Sequence, residues 1–222
     1  MPASPAGTRA GAVTRLGAVS APRPTFAQAA RDLLRETLLD AARDLLAERP
    51  WSEITMADVA RGAGVSRQTL YNEFGSREEF AQALILREVD RFLATVEQAV
   101  VDNRDDPTRA LAAAFDVFLA AAAENPLVRA IVAGDGGDEL LPLVTTHGGP
   151  VLERATERLA AILLESWPQV GSEEAELLAE CVVRLAISYA ALPQGPAGMT
   201  GDSVATLLGP YVTGVLERAG SG

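Results

Sequence analysis

The chain has 222 residues, of which 48% are hydrophobic, and its 19 basic and 30 acidic residues give a formal net charge of −11. This length allows one sizeable core or two modest ones, and the lack of any apolar run of about 18 residues excludes a membrane-spanning helix. Since Cys181 has no second cysteine to pair with and no apolar signal-peptide segment is present, we expect a cytoplasmic protein that does not bind membranes.

Charge is unevenly distributed along the chain. Residues 1–77 contain ten arginines against eight acidic residues, a balance of +2, whereas residues 78–222 contain nine against 22, a balance of −13. Because phosphates repel an acidic surface, the N-terminal part is the only candidate for a nucleic-acid-binding face.

The N-terminal third of the sequence predicts a tail and four helices. Residues 1–25 are rich in Ala, Pro, Gly, Ser and Thr without periodicity, which indicates a disordered tail. The Thr55–Asp58 and Ser76–Glu79 pairs match capping boxes and mark two helix starts, while Ser66 caps a third. The helices are predicted from residue 26 or 31 to 48, over 55–62, over 67–73, and from 76 to about 101.

Proline and glycine divide the remaining residues into a helical array. A kink is expected at Gly209–Pro210, inside the last helix. Residues 134–137 predict a loop and residues 193–201 a turn-rich connector. The helices are predicted over 107–123, 126–133, 138–146 (interrupted by Pro142), 149–166, 172–192 and 202–219.

Three short helices near the N-terminus, the second and third joined by a tight glycine turn, are typical of a helix-turn-helix. Ala60 is small where two helices cross, and Gly64 permits the left-handed backbone conformation of a tight turn. The first turn of the third helix carries side chains suited to base edges or phosphates, namely Arg67, Gln68 and Thr69.

The run from Ile54 to Phe80, ITMADVARGAGVSRQTLYNEFGSREEF, resembles the signature of the TetR family of transcriptional regulators. The family pattern reads Ile-Ala, then Ala-Gly-Val-Ser, then Leu-Tyr, a spacer and Phe, then Ser-Lys-Glu and an apolar residue. This resemblance implies an all-α homodimeric repressor that binds a palindromic operator. We therefore expect a three-helix DNA-binding domain over 26–75, after a tail over 1–25, and a helical ligand-binding and dimerisation domain over 76–222.

The resemblance also implies which residues contact DNA: Thr55, Ser66, Arg67, Gln68, Thr69, Tyr71, Asn72 and Arg77. The first two would place helix N-termini against phosphate. The next three would face the major groove, with Asn72 at its edge. Tyr71 and Arg77 would contact the phosphate backbone, Arg77 standing where the family more often has lysine. Thr55 and Ser66 are equally explained as plain caps, and Tyr71 as a core aromatic.

In the C-terminal domain the resemblance implies a dimer interface and a ligand pocket. The helices over 172–192 and 202–218 would form a four-helix bundle with a second copy, and the first carries more apolar surface than one neighbour covers. Family members bind a small ligand in the middle of this domain. The candidate lining residues, each also explained as ordinary core, are Phe115, Phe118, Leu119, Ile131, Leu143, Val144, His147, Leu163 and Tyr189.

Two segments resemble a narrower group within the family. Residues 66–80 with the helix that follows, and the run from Leu140 to Pro150, are similar to actinobacterial regulators found beside alkane hydroxylase genes. This similarity implies a long-chain fatty acid or related lipid as effector, whose acyl chain suits an apolar pocket. Its carboxylate would need a partner such as Arg129, Arg184 or His147.

No pattern of an enzyme is present in the sequence. One histidine and one cysteine far apart provide no nucleophile with its base, and no phosphate loop or zinc spacing appears. We expect neither catalysis nor a metal or cofactor. Two alternatives stay open at this point: a regulator of another effector class, and a helical protein–protein interaction module that binds no DNA.

Overall fold

The computed structural model describes residues 25–132, 139–191 and 200–219, and every regular element in these ranges is helical. This confirms the all-α fold class. Three predicted segments lie largely outside the described residues: the tail over 1–25, the loop over 134–137 and the connector over 193–201. Only residues 25, 200 and 201 of these segments are described. The α-helices are α1 (Phe26–Glu48), α2 (Met56–Gly62), α3 (Arg67–Phe74), α4 (Arg77–Asp102), α5 (Pro107–Glu124), α6 (Pro126–Val132), α7 (Leu141–Val144), α8 (Gly149–Ser166), α9 (Ser172–Ala191) and α10 (Gly201–Ala219).

Side-chain caps explain where five of these helices begin. In each case a side-chain oxygen accepts a hydrogen bond from a backbone N–H three residues later, at 3.0–3.2 Å. Such a cap stabilises a helix by about 1 kcal/mol, because it satisfies one of the free N–H groups of the first turn. The capping residues are Thr25, Thr55, Ser66, Ser76 and Asp106.

The structure differs from the predicted elements at two places. The helix expected over 138–146 is reduced to α7, since Pro142 fits only in a first helical turn. A 3-10 helix, Trp51–Glu53, that periodicity did not indicate separates α1 from α2. The last helix contains Pro210, as the sequence predicted, and runs from Gly201 to Ala219.

Two apolar cores share helix α4. The first joins α1, α2, α3 and the N-terminal half of α4 to residues of α6 and α7, and its largest fully buried side chains include Trp51 and Phe80. The second joins the C-terminal half of α4 to α5, α8 and α9. A displacement of α4 therefore affects the packing of both the N-terminal helices and the C-terminal helices.

Helix α10 packs closely on α5 because two glycines allow it. A Cβ atom at Gly201 would lie 2.1 Å from the backbone oxygen of Ala112, and one at Gly209 would lie 3.1 Å from the methyl group of Thr108. The N–H of Gly201 also donates to Asp116 Oδ1 at 2.8 Å. In the part of the chain that the structure describes, no helix combines the length and the apolar character that a membrane span requires.

Candidate DNA-binding helix and ligand cavity

The turn between α2 and α3 has the geometry that the sequence predicted. Gly64 has a φ of +69°, a left-handed conformation that residues with a Cβ rarely adopt. Two backbone hydrogen bonds close the end of α2, from Val65 N–H to Ala60 C=O at 2.9 Å and from Gly64 N–H to Arg61 C=O at 3.1 Å. The turn brings α2 and α3 together over buried side chains, including Val59 and Leu70. The outer face of α3 is thereby turned to solvent.

Thr55 begins α2 in a reciprocal capping box with Asp58. The hydroxyl and the N–H of Thr55 both donate to Asp58 Oδ2, at 2.7 and 3.1 Å. These bonds, with the positive charge of Arg49 at 3.2 Å, lower the pKa of Asp58 to about 2. The Thr55 hydroxyl is thus already occupied in the free protein.

Helix α3 presents a strip of polar side chains to solvent. Ser66 caps the helix, and Arg67, Gln68 and Asn72 are exposed. Gln68 Nε2 donates to Asn72 Oδ1 at 2.7 Å, and the Arg67 guanidinium lies 5.2 Å from the centre of the Tyr71 ring. These two i,i+4 pairs lie side by side, so one face offers amide and guanidinium groups that can read base edges.

The single acidic residue of α3 is neutralised by two arginines of α1. Glu73 lies 2.9 Å from Arg31 and 2.8 Å from Arg35, with its side chain only 9% exposed. Burial raises the pKa of Glu73, but the hydrogen bonds from Arg35 and Arg31 outweigh it and hold the pKa below its usual value. Since these residues are about 40 positions apart, local sequence patterns did not reveal the contact. It holds α3 on α1 and keeps the carboxylate from repelling phosphate.

Arg77, expected by resemblance to contact phosphate, uses its guanidinium inside the molecule. Its Nη1 and Nη2 donate to the backbone oxygens of Ile54 and Trp51, and its Nε lies 2.8 Å from Glu139 Oε2. The group also lies over the Trp51 ring, 4.4 Å from its centre. Burial raises the pKa of Glu139, but the hydrogen bonds from Arg77 and the Trp51 indole outweigh this effect and hold the pKa below its usual value. In this position Arg77 connects the start of α4 to the 3-10 helix and to Glu139.

An ion-pair cluster joins α1 to α4. It consists of Glu36, Asp40, Arg43, Arg87, Glu88 and Arg91, and is called the α1–α4 cluster below. Arg87 and Arg91 each lie 2.9 Å from Asp40, and Arg87 is only 8% exposed. Burial raises the pKa of Asp40, but the bonds from Arg91 and the charge of Arg87 lower it more, so the carboxylate stays charged. The cluster fixes α1 to the middle of α4.

A cavity of about 230 Å³ lies between α4, α5, α6, α8 and α9. Its α4 wall runs from Ile85 to Val100, a length of about 22 Å at 1.5 Å per residue. The lining is apolar except for Glu88, Asn125 and the indole of Trp167, whose N–H already donates to Arg104 C=O at 3.0 Å. This elongated shape and lining suit a hydrocarbon chain.

The cavity contains some of the residues predicted for it. The aromatic wall is formed by Phe115 and Phe118, whose ring centres lie 5.4 Å apart. The other predicted residues that line it are Ile131, Val144 and Leu163. Among the predicted residues that do not line it, the apolar and aromatic ones are Leu119, Leu143 and Tyr189. Leu143 is buried in the first core, and Tyr189 contacts Phe118 with ring centres 6.4 Å apart.

The three predicted partners of a ligand carboxylate lie away from the cavity. Arg129 and His147 are exposed, and Arg184 pairs with Glu180 one turn away on α9. The sequence reasoning missed Glu88 and Asn125 instead. A signal for Glu88 existed, because it lies beside the apolar stripe of α4 at a position that helical periodicity turns toward the core.

Helices α9 and α10 leave apolar side chains uncovered. On α9, Leu177, Cys181 and Leu185 recur every four residues and are all exposed. On α10, Leu207 and Tyr211 are 78% and 42% exposed. Within the described ranges no group of three or more His, Cys, Asp or Glu side chains is arranged to hold a metal ion.

Two family profiles match the chain. One, described as the tetR family of bacterial regulatory proteins, matches residues 38–84. The other, described as the C-terminal domain of the bacterial tetracyclin repressor, matches residues 106–210. The first covers the helix-turn-helix, and the second covers α5 to α9, which enclose the cavity together with α4.

Individual proteins are similar over most of their length. A Mycobacterium tuberculosis protein named HTH-type transcriptional regulator AlkX is 40% identical over 189 residues, which cover 85% of this chain and 90% of that protein. The solved structure of TetR family repressor AlkX from Dietzia sp. strain DQ12-45-1b, implicated in biodegradation of n-alkanes, matches with a TM-score of 0.72 and 38% identity, covering 82% and 96% of the two chains. A TetR-family regulator from Pectobacterium atrosepticum, 18% identical with a TM-score of 0.60 over 85% and 96% of the chains, shares the fold.

Proposed function

Because this chain belongs to the TetR family of transcriptional regulators, we propose that it represses transcription by binding a palindromic operator as a homodimer, and that an apolar effector releases it. The exposed polar face of α3 is the observation that carries the DNA-binding part of this proposal. The relatives described above are transcriptional regulators and not enzymes, in agreement with the expectation from sequence.

We assign base reading to the outer face of α3. Gln68 and Asn72 form one amide pair, and amide side chains suit adenine, while Arg67 suits guanine. Tyr71 and the N-termini of α2 and α3, capped by Thr55 and Ser66, would lie against phosphates, with Thr69 beside the Ser66 cap. Arg77 is left out of this set, since its contacts hold Trp51 and Glu139.

Dimerisation is proposed through α9 and α10. Their exposed apolar side chains would be buried if the same face of a second copy packed against them, as in a two-fold interface. A dimer is needed because two recognition helices must reach half-sites about 34–36 Å apart or near multiples of that distance. Operator binding places the protein with the chromosome, in the cytoplasm.

The proposed effector class is molecules with a long hydrocarbon chain, a class that includes other lipids as well as the fatty acids expected from sequence. The apolar lining and the α4 wall of about 22 Å support a long chain in place of a compact ligand. The similar repressor from Dietzia is implicated in biodegradation of n-alkanes, which points to the same chemical class.

The release mechanism we propose uses α4. This helix forms one wall of the cavity and also belongs to both cores. The α1–α4 cluster couples its middle to α1, and the Glu73 ion pairs couple α1 to α3. A ligand that displaces α4 would thereby shift the two recognition helices of the dimer relative to each other, and operator affinity would fall.

Fluorescence anisotropy with labelled DNA from the region upstream of the gene tests the DNA-binding proposal. Wild-type protein is expected to bind at about 10⁻⁸–10⁻¹¹ M at physiological salt. The Arg67→Ala, Gln68→Ala double variant should bind at least about 30-fold more weakly, since each base contact contributes roughly 1–3 kcal/mol. Arg109→Ala, which removes an exposed arginine from α5, is the control and should bind like wild type. Equal binding by the double variant and the control would overturn the assignment of α3 as the recognition helix.

A further inference from the structure

The cavity has one polar end, formed by Glu88 of α4 and Asn125 at the end of α5. Asn125 Oδ1 accepts hydrogen bonds from the N–H groups of Leu127 and Val128, at 2.9 and 3.3 Å. This fixes the orientation of the amide, because its NH₂ group must then point the other way. Asn125 Nδ2 donates to Glu88 Oε2 at 3.2 Å. Hydrogen bonds therefore define the orientation of both side chains at the polar end.

The two oxygens of the Glu88 carboxylate have different surroundings. Oε1 faces the arginines of the α1–α4 cluster, at 3.4 Å from Arg91, 3.5 Å from Arg87 and 3.8 Å from Arg43. Oε2 is held by Asn125. Three guanidinium groups thus pair with the Glu88 carboxylate, and none of these three arginines lines the cavity. Glu88 and Asn125 both line the cavity, so this end can offer a ligand an acceptor oxygen and an amide donor.

This arrangement does not suit an anionic head group. No arginine and no histidine lines the cavity within the described residues. A ligand carboxylate at the polar end would lie beside the Glu88 carboxylate in an apolar environment, where like charges repel strongly. It would also leave Glu88 Oε2 without a hydrogen bond from the ligand, since a carboxylate only accepts.

From these contacts we infer that the effector is an uncharged long-chain molecule with a terminal hydroxyl group, which donates to Glu88 Oε2 and accepts from Asn125 Nδ2. A primary alcohol is the simplest member of this class. The inference rests on the proposed apolar effector and narrows it, because it excludes the carboxylate head that the sequence led us to expect with Arg129, Arg184 or His147. Glu88 is then the residue that determines head-group specificity.

The same contact gives the ligand access to the DNA-binding domain. Glu88 shares Arg87 and Arg91 with Asp40 of α1, so a hydroxyl group that draws Glu88 toward the cavity weakens its hold on these arginines. Head-group recognition and release from the operator thereby involve one side chain. An apolar molecule without the hydroxyl group would fill the cavity but would not pull on the α1–α4 cluster.

Equilibrium dialysis of the full-length protein with three probes of equal chain length tests this inference. The probes are dodecan-1-ol, which has an uncharged donor, methyl dodecanoate, which is uncharged and lacks a donor, and dodecanoate, which is anionic. We expect the alcohol to bind at least about tenfold more tightly than the other two, because a hydrogen bond to a charged group contributes at least that factor.

Glu88→Gln provides the matched variant test. Without the carboxylate, dodecanoate is no longer repelled and the arginines of the α1–α4 cluster lose a counter-charge, so the preference for alcohol over dodecanoate should fall at least about tenfold. Glu97→Gln is the control, since Glu97 lies on α4, pairs with Arg158 and does not line the cavity. It should keep the wild-type preference.

The outcomes separate this inference from the proposed function. If all three probes bind and dodecanoate binds as tightly as the alcohol, the hydroxyl assignment is wrong while the apolar effector class stands. An unchanged preference in Glu88→Gln also overturns the role of Glu88. If no probe binds, the proposed effector class fails and this inference fails with it. The comparison of probes on wild-type protein decides the question even if Glu88→Gln does not fold.

Discussion

The helix-turn-helix and the cavity-forming helices differ in what holds them. Around α2 and α3, short-range contacts set the backbone in addition to the buried core: a left-handed glycine at Gly64, a capping box at Thr55 and a hydroxyl cap at Ser66. The C-terminal helices rely on apolar packing, and they enclose an unfilled volume of about 230 Å³. Local caps and buried side chains therefore fix the DNA-binding part, whereas the C-terminal helices leave unfilled space between them, which we propose the effector occupies.

Helix α4 is where these two kinds of construction meet. In its first half, the ring of Phe80 packs between two others. The centre of the Phe80 ring lies 6.5 Å from that of Trp51 and 4.8 Å from that of Phe74. Its second half forms the wall of the cavity. Because α4 is shared by the cavity and the first core, a shift of α4 at the cavity would also change its packing in that core.

Replacing the aromatic anchor of α4 should produce the largest effect. Phe80→Ala is expected to lower the free energy of unfolding by about 3–5 kcal/mol, because Phe80 is fully buried between two rings and its removal leaves a cavity. Urea unfolding followed by circular dichroism measures this. Phe26→Ala is the matched control: Phe26 is 90% exposed, and the change should stay within about 0.5 kcal/mol. Similar losses for the two variants would contradict a tightly packed first core.

A charge introduced on the exposed face of α10 should weaken the proposed dimer. Leu207→Arg should raise the dimer dissociation constant by at least about tenfold, since it would bury an unpaired charge in the proposed interface. Sedimentation equilibrium provides the measurement. Leu33→Arg makes the same change on α1, where the leucine is 68% exposed, and should leave the association unchanged. A dimer that tolerates Leu207→Arg would place the interface elsewhere.

The smallest expected effect concerns pH and the capping box of α2. Because the pKa of Asp58 is lowered from 3.8 to about 2, its contribution to stability is present above pH 3.8 and is lost as the pH falls toward 2. Asp58→Asn should therefore flatten the pH dependence of the unfolding free energy between these values. Asp44→Asn, on the exposed side of α1, removes the same charge and should keep the wild-type slope. Parallel curves for both variants would contradict the role of the capping box.

Much of the fold was readable from local patterns. Caps and proline or glycine stops placed the ends of most helices within a few residues, because they act on the backbone beside them. The prediction over 138–146 allowed for an interruption at Pro142 but was wrong in extent, since the α-helix is limited to Leu141–Val144 with Pro142 in its first turn. Of the residues expected to contact DNA, Arg67, Gln68 and Asn72 are exposed on α3. Thr69 and Tyr71 are half-buried, and Tyr71 packs partly against the first core. The Arg77 guanidinium donates to backbone oxygens inside the molecule.

The sequence by itself determined the family, the helix-turn-helix and the charge division, since each depends on residue identity and short spacing. The tertiary structure alone decided which polar groups reach the cavity. Glu88 and Asn125 are 37 positions apart and meet only because α4 packs on α5, whereas Arg129, His147 and Arg184 lie on outer surfaces. The physical reason is that a helix face is set by periodicity, but the neighbour of that face is set by how all the helices bury their apolar surface together.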